Sequence, residues 1–114
     1  MIFIDKPVSL NEIWNNRKTT YSEMLKFAVD IENEWIVIDG EMHADCETLL
    51  LEKGSKQENI WGANLYPEND EPDFLEFTSF INLRPSLNNQ SMDIQSSELR
   101  NSIRNIVNKL LIKE

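Results

Sequence analysis

The chain has 114 residues and a mass of 13.4 kDa, enough for one domain with a buried core and too little for two. Eleven Lys and Arg against twenty Asp and Glu leave a formal charge of -9, so phosphate neutralisation has little to work with and DNA is not an expected partner. A single cysteine, Cys46, excludes both an intramolecular disulfide and a cysteine-built metal cage.

The opening M-I-F-I-D-K-P breaks its apolar run at Asp5. Neither a leader peptide nor a membrane span is expected from it, and the cytoplasm is the expected compartment. Ile2 to Ile4 has the character of an edge strand. Ser9 and Glu12 then stand in capping-box spacing, with Val8 and Ile13 at the two positions of a hydrophobic staple. A helix is expected to start there, with Leu10, Ile13 and Trp14 on one face; Tyr21, Met24 and Leu25 could continue it unless N-N-R-K-T-T interrupts.

From Leu25 the period changes to two. Leu25, Phe27, Val29 and Ile31 alternate with Lys26, Ala28 and Asp30, and Trp35 to Ile38 follows after the polar turn Glu32, Asn33, Glu34. Such a pair reads as an antiparallel hairpin ended by Asp39-Gly40. Asp45 is placed as the N-cap of a short helix that runs through L-L-L and stops at Gly54. Asn59 to Tyr66 and Phe74 to Leu83 predict a second hairpin around the acidic P-E-N-D-E-P-D loop. A polar loop after Pro85 leads to a helix from about Ser97, with Leu99, Ile103, Ile106, Val107, Leu110 and Leu111 on its apolar stripe.

These elements specify a single α+β domain over residues 1–114: a mostly antiparallel sheet of about four or five strands, built from two hairpins, with the N- and C-terminal helices packed on one face in two layers.

The stretches V-D-I at Val29 to Ile31, G-E-M-H-A-D at Gly40 to Asp45, G-S-K-Q-E-N-I-W-G-A-N-L-Y at Gly54 to Tyr66 and I-N-L-R-P at Ile81 to Pro85 resemble a family of small prokaryotic proteins known only as a domain of unknown function. The likeness runs on into Asn88 to Ser91 and the terminal helix. It implies a bacterial or archaeal cytosolic protein and supplies neither an activity nor a catalytic residue.

Read as chemistry, Glu41, His43 and Asp45 would share one face if extended, and could hold a divalent metal or work as acid and base. Asp45 has a competing use as helix cap. G-S-K-Q at Gly54 to Gln57 lacks the spacing of a phosphate loop and follows a helix instead of preceding one, so a C-cap and turn accounts for it. Arg84 is equipped to hold an anion in bidentate fashion, or to close an internal ion pair. Gln57, Asn64, Asn82, Arg84 and Asn89 are the candidate ligand-binding side chains, with a small anion as the candidate ligand. Glu68, Asp70, Glu71 and Asp73 crowd one loop without calcium-site spacing.

No complete catalytic motif is present. The first reading is therefore a non-enzymatic module that binds a protein partner or itself; no cofactor is required. The alternative is a small hydrolase or nuclease-like enzyme with His43 as acid/base, Glu41 or Asp45 orienting it or holding a metal, and Arg84 facing an anionic transition state. A toxin or antitoxin component is a further alternative, by size alone.

Overall fold

A computed structural model describes residues 1–113. Strand β1 (Ile2–Ile4) is followed by β2 (Val8–Ser9) and helix α1 (Leu10–Asn15). Ser9 caps α1, its hydroxyl accepting from the Glu12 N–H at 3.3 Å, and Leu10, Ile13 and Trp14 are the buried face. The helix ends at Asn15, so Tyr21 and Met24 do not extend it. The reason lies across the chain: the buried Asp39 carboxylate accepts from Lys18 N at 2.8 Å, Thr19 N at 3.3 Å and the Thr19 hydroxyl at 2.7 Å. Those amides are held in a loop by a side chain and are unavailable to a helix.

Strands β3 (Leu25–Asp30) and β4 (Trp35–Gly40) form the first hairpin as the alternation requires. Its turn is organised by Asp30, fully buried, whose carboxylate accepts from Glu32 N at 2.9 Å, Asn33 N at 3.0 Å, Asn33 Nδ2 at 2.8 Å and the Ser55 hydroxyl at 2.6 Å. Glu34 takes the left-handed conformation at φ 59° to close it.

Helix α2 (His43–Glu52) begins earlier than Asp45 would place it. Met42 is its N-cap residue, without a side-chain cap bond, and Asp45 lies inside the first turn. The early start follows from close packing: a Cβ on Gly40 would lie 2.4 Å from Cys46 Sγ, so the glycine lets the helix descend onto β4. At the far end Gly54, at φ 108°, completes a Schellman stop, with Ser55 N–H donating to Leu50 O and Gly54 N–H to Leu51 O.

Strand β5 (Ile60–Leu65) and β6 (Leu75–Glu76) form the second hairpin, but the expected strand to Leu83 is cut to two residues. Ser79 turns the chain into a 3-10 turn, Phe80–Asn82, by accepting from Ile81 N–H. A second turn, Pro85–Leu87, follows. Helix α3 (Ser97–Leu110), capped by Ser96, carries the terminal apolar stripe. Leu111 is not its last turn: strand β7 (Leu111–Ile112) pairs in parallel with β2, a small second sheet that the sequence reading does not contain.

The main sheet has order β1-β4-β3-β5-β6, every pairing antiparallel, and the fold is α+β. Phe27, Val29, Ile36, Ile38, Ala63 and Leu65 gather with Leu10, Ile13 and Trp14 of α1 and Ile103, Ile106, Val107 and Leu110 of α3 in one core. Ala28, Val37 and Ile60, one residue out of phase, point the other way and gather with Cys46 and Leu50 of α2. The middle helix thus adds a third layer to the two-layer arrangement expected. Among the described residues, no helix is long and apolar enough to cross a membrane.

Candidate functional site

His43 is the first residue of α2 and stands over β5. Its Nε2 lies 3.0 Å from the Ala63 carbonyl oxygen and 2.8 Å from Asn64 Oδ1. The rest of the chain of bonds fixes the proton. Asn64 Nδ2 donates to Glu76 Oε1 at 2.8 Å, and the Tyr66 hydroxyl donates to the same oxygen at 3.1 Å. A carboxylate only accepts, so the Asn64 NH₂ faces Glu76 and its oxygen faces His43; two acceptors then meet Nε2, which must carry the hydrogen. Burial pushes the His43 pKa below 6.5, helped by the charge of Lys26 and opposed by the bonds to Ala63 and Asn64 and by Glu76. The ring is a neutral donor that ties α2 to the sheet.

Glu41 and Asp45 do not join it. With α2 starting at His43, Asp45 is turned from it by about 200° around the axis and does not share its face as it would in a strand, while Glu41 lies in the bend before the helix. Both acids are exposed and line a shallow concavity with Asp39, Thr19 and Glu52, while the Glu41 carbonyl accepts from the Tyr21 hydroxyl at 2.6 Å. Among the described residues, no group of three or more His, Cys, Asp or Glu is placed to hold a metal ion. The candidate metal set Glu41, His43 and Asp45 is dispersed for that reason, and the acid/base use of His43 loses the partners assigned to it.

Arg84 sits at the free edge of β5. Nη2 meets Glu47 Oε2 of α2 at 2.6 Å, with both side chains largely covered (12% and 14% exposed). Nη1 donates to the carbonyls of Gln57, at 2.9 Å, and of Ile60. The guanidinium also lies over the Trp61 ring, 5.3 Å from its centroid. Burial lowers its pKa and Glu47 opposes that shift. Arg84 is therefore a clamp joining α2, the Gln57–Asn59 turn and β5. Its charge is answered within the molecule.

His43 and Arg84 bind β5 at Ala63 and Ile60, three residues or about 10 Å apart along the strand. The concavity that Arg84 lines does not include His43.

Asn82 and Asn89 are internal as well. Asn82, fully buried, accepts from Gly62 N at 2.8 Å and donates to Gly62 O at 2.9 Å. Asn89 Nδ2 donates to the carbonyls of Asn82, Ser91 and Asp93 at 2.7, 2.8 and 3.0 Å, and its oxygen accepts from Gln95 N at 2.9 Å. Arg84 and Asn89 also exchange backbone hydrogen bonds across the loop that contains Pro85. Gln57 contributes its carbonyl to Arg84 and lines the adjoining concavity. The motif residues of G-S-K-Q, W-G-A-N, I-N-L-R-P and N-N-Q-S thus hold one another along a single sheet edge.

What this scaffold displays was missed in the sequence. Phe80 is 79% exposed, Leu83 50% and Leu87 37%, and the three flank Arg84 at a concavity of about 470 Å³ that Glu47, Gln57, Glu58, Ile81 and Ser86 complete. The strand expected over Phe74 to Leu83 took in both Phe80 and Leu83. The contrary signals were Ser79, a turn capper, and Pro85, which ends pairing.

No curated protein and no solved structure matches the chain. One family profile does, over residues 2–110, and its description is "Protein of unknown function (DUF5674)". Covering nearly all of the sequence and every motif of the clamped edge, that match places the chain in the DUF5674 family.

Proposed function

We propose that this protein is a non-enzymatic binding module whose docking face is the segment from Phe80 to Leu87, and that its ligand is another protein. One observation carries the reading: a phenylalanine and two leucines are turned to solvent by backbone that Asn82, Asn89 and Arg84 hold from within. Scattered exposed leucines are ordinary on any surface; a rigidly presented aromatic-aliphatic cluster beside a concavity is the anatomy of an interface core. The polar residues that suggested catalysis support the reading in another way, since their donors and acceptors serve the scaffold that presents the cluster.

Phe80→Ser combined with Leu83→Ser tests it. Both side chains are exposed, so the variant should unfold within about 0.5 kcal/mol of the parent. Affinity capture from the native cell with each form, compared by mass spectrometry, should show a specific partner retained by the parent and lost by the variant. Identical captured sets from a folded variant contradict the reading.

A further inference from the structure

We propose that the partner segment seated at Phe80, Leu83 and Leu87 is a basic, apolar peptide stretch, and that the face selects against acidic ligands. This rests on the docking reading above and adds the chemistry of the ligand.

Arg84 is the only base lining the concavity, and it does not make the site cationic. Glu47 pairs with it at 2.6 Å, and Glu58 on the rim has no matching base in the lining. Of the five guanidinium N–H groups, two go to the Gln57 and Ile60 carbonyls and one to Glu47. The two left over, Nε–H among them, are donors without spare charge. A neutral acceptor such as a peptide carbonyl suits them; a carboxylate or phosphate would meet Glu47 and Glu58 at the same place. This is the physical case against the small anionic ligand expected for Arg84.

The surroundings carry the same sign. Helix α2, which supplies Glu47, bears Asp45, Glu47 and Glu52 and no Lys or Arg. Lys53 and Lys56 follow in the turn, so residues 43–58 carry four acids against two bases, whereas α3 carries Arg100, Arg104 and Lys109 against Glu98, and its apolar face packs in the core on the other side of the sheet. An encounter with a basic segment is steered towards the α2 side and an acidic one is repelled. A second copy docked symmetrically would set the two acidic sides against each other.

Fluorescence anisotropy tests this with two synthetic amphipathic peptides sharing Leu and Phe positions, one with Lys and one with Glu at the polar positions, titrated with the intact protein. The Lys peptide should bind about tenfold more tightly at low salt, the gap should shrink as salt rises, and Phe80→Ser with Leu83→Ser should weaken Lys-peptide binding about tenfold. Equal affinities that both fall in the double variant overturn the basic ligand and leave the docking face standing. Lys-peptide binding that the double variant does not change, or no binding of either peptide, overturns both. Sedimentation of the protein alone supplies the remaining outcome: self-association abolished by the double variant makes a second copy the occupant and overturns this proposal.

Discussion

Asn82 stands in for a strand at Gly62. Its amide accepts from the Gly62 N–H at 2.8 Å and donates to the Gly62 carbonyl at 2.9 Å, satisfying both backbone groups where β6 does not reach. The absence of a side chain at position 62 makes the approach feasible, because a Cβ there would lie 2.9 Å from the Ser79 side chain and 3.0 Å from Ile81 Cγ1. Asn82→Ala strands two buried backbone groups at the sheet edge, and a loss of about 2–3 kcal/mol is expected in urea unfolding. Gly62→Ala should cost about 1–3 kcal/mol by overpacking and loosen the same turn. Hydrogen exchange at Gly62 reads both, with protection lost in each variant.

The Arg84–Glu47 clamp yields a second expectation. Arg84→Met leaves the Glu47 carboxylate largely covered and unpaired, together with two carbonyls that lose their donor, for an expected loss of about 3 kcal/mol. Glu47→Gln keeps an acceptor oxygen and should cost less, about 1 kcal/mol. Denaturant titration of the two variants gives the ranking; equal small effects would mean that the pair holds nothing.

Stability should depend on pH through His43. Its folded pKa lies below the ordinary 6.5, chiefly through burial, so the unfolded chain takes up the proton first. The contribution is complete above about 6.5 and is lost as pH falls through that value to the folded pKa. The added charge would sit at the positive end of α2, near Lys26. His43→Gln should flatten the profile in that window. Asp30 acts in the same direction at lower pH: burial raises its pKa, but hydrogen bonds from Ser55, Asn33 and Glu32 together outweigh that and hold it below 3.8. Its contribution is present above 3.8 and disappears at still lower pH. Thermal melts of the parent and His43→Gln from pH 8 down to about pH 4 check the His43 sign, and the parent series continued to about pH 2 checks that of Asp30.

Cys46 should be inert in the folded protein. It is fully buried, and burial pushes its thiol pKa up to about 12. A thiol reagent at neutral pH should label it at the rate of unfolding and no faster. Rapid labelling of the native protein would mean that α2 does not close over β4 as described.

The sequence disclosed most elements because their signals are local. Ser9, Ser96 and Gly54 end helices through bonds within a few residues, and the alternation from Leu25 reports the first hairpin, though not that α2 covers its second face. The long-range pieces were opaque. Nothing near Asp39 says that it reaches back to Lys18 and Thr19, and nothing near Leu111 says that it pairs with Val8. For the same reason Glu41, His43 and Asp45 looked convergent: period two fits an extended segment, and the helix start was set instead by Gly40 meeting Cys46. Arg84 was legible as a choice between ion pair and anion site, and only the position of Glu47 on another element decides it. The exposed Phe80 was hidden by the strand expected over Phe74 to Leu83, which the Ser79 turn cuts short.

The most direct measurement is photo-crosslinking from position 80 in the native cell, with a benzophenone amino acid in place of Phe80 and, as control, in place of the exposed Asn101 on α3. A discrete crosslinked partner from position 80, absent from position 101, is the result the account predicts. No adduct from position 80, or the same adducts from both positions, would contradict it.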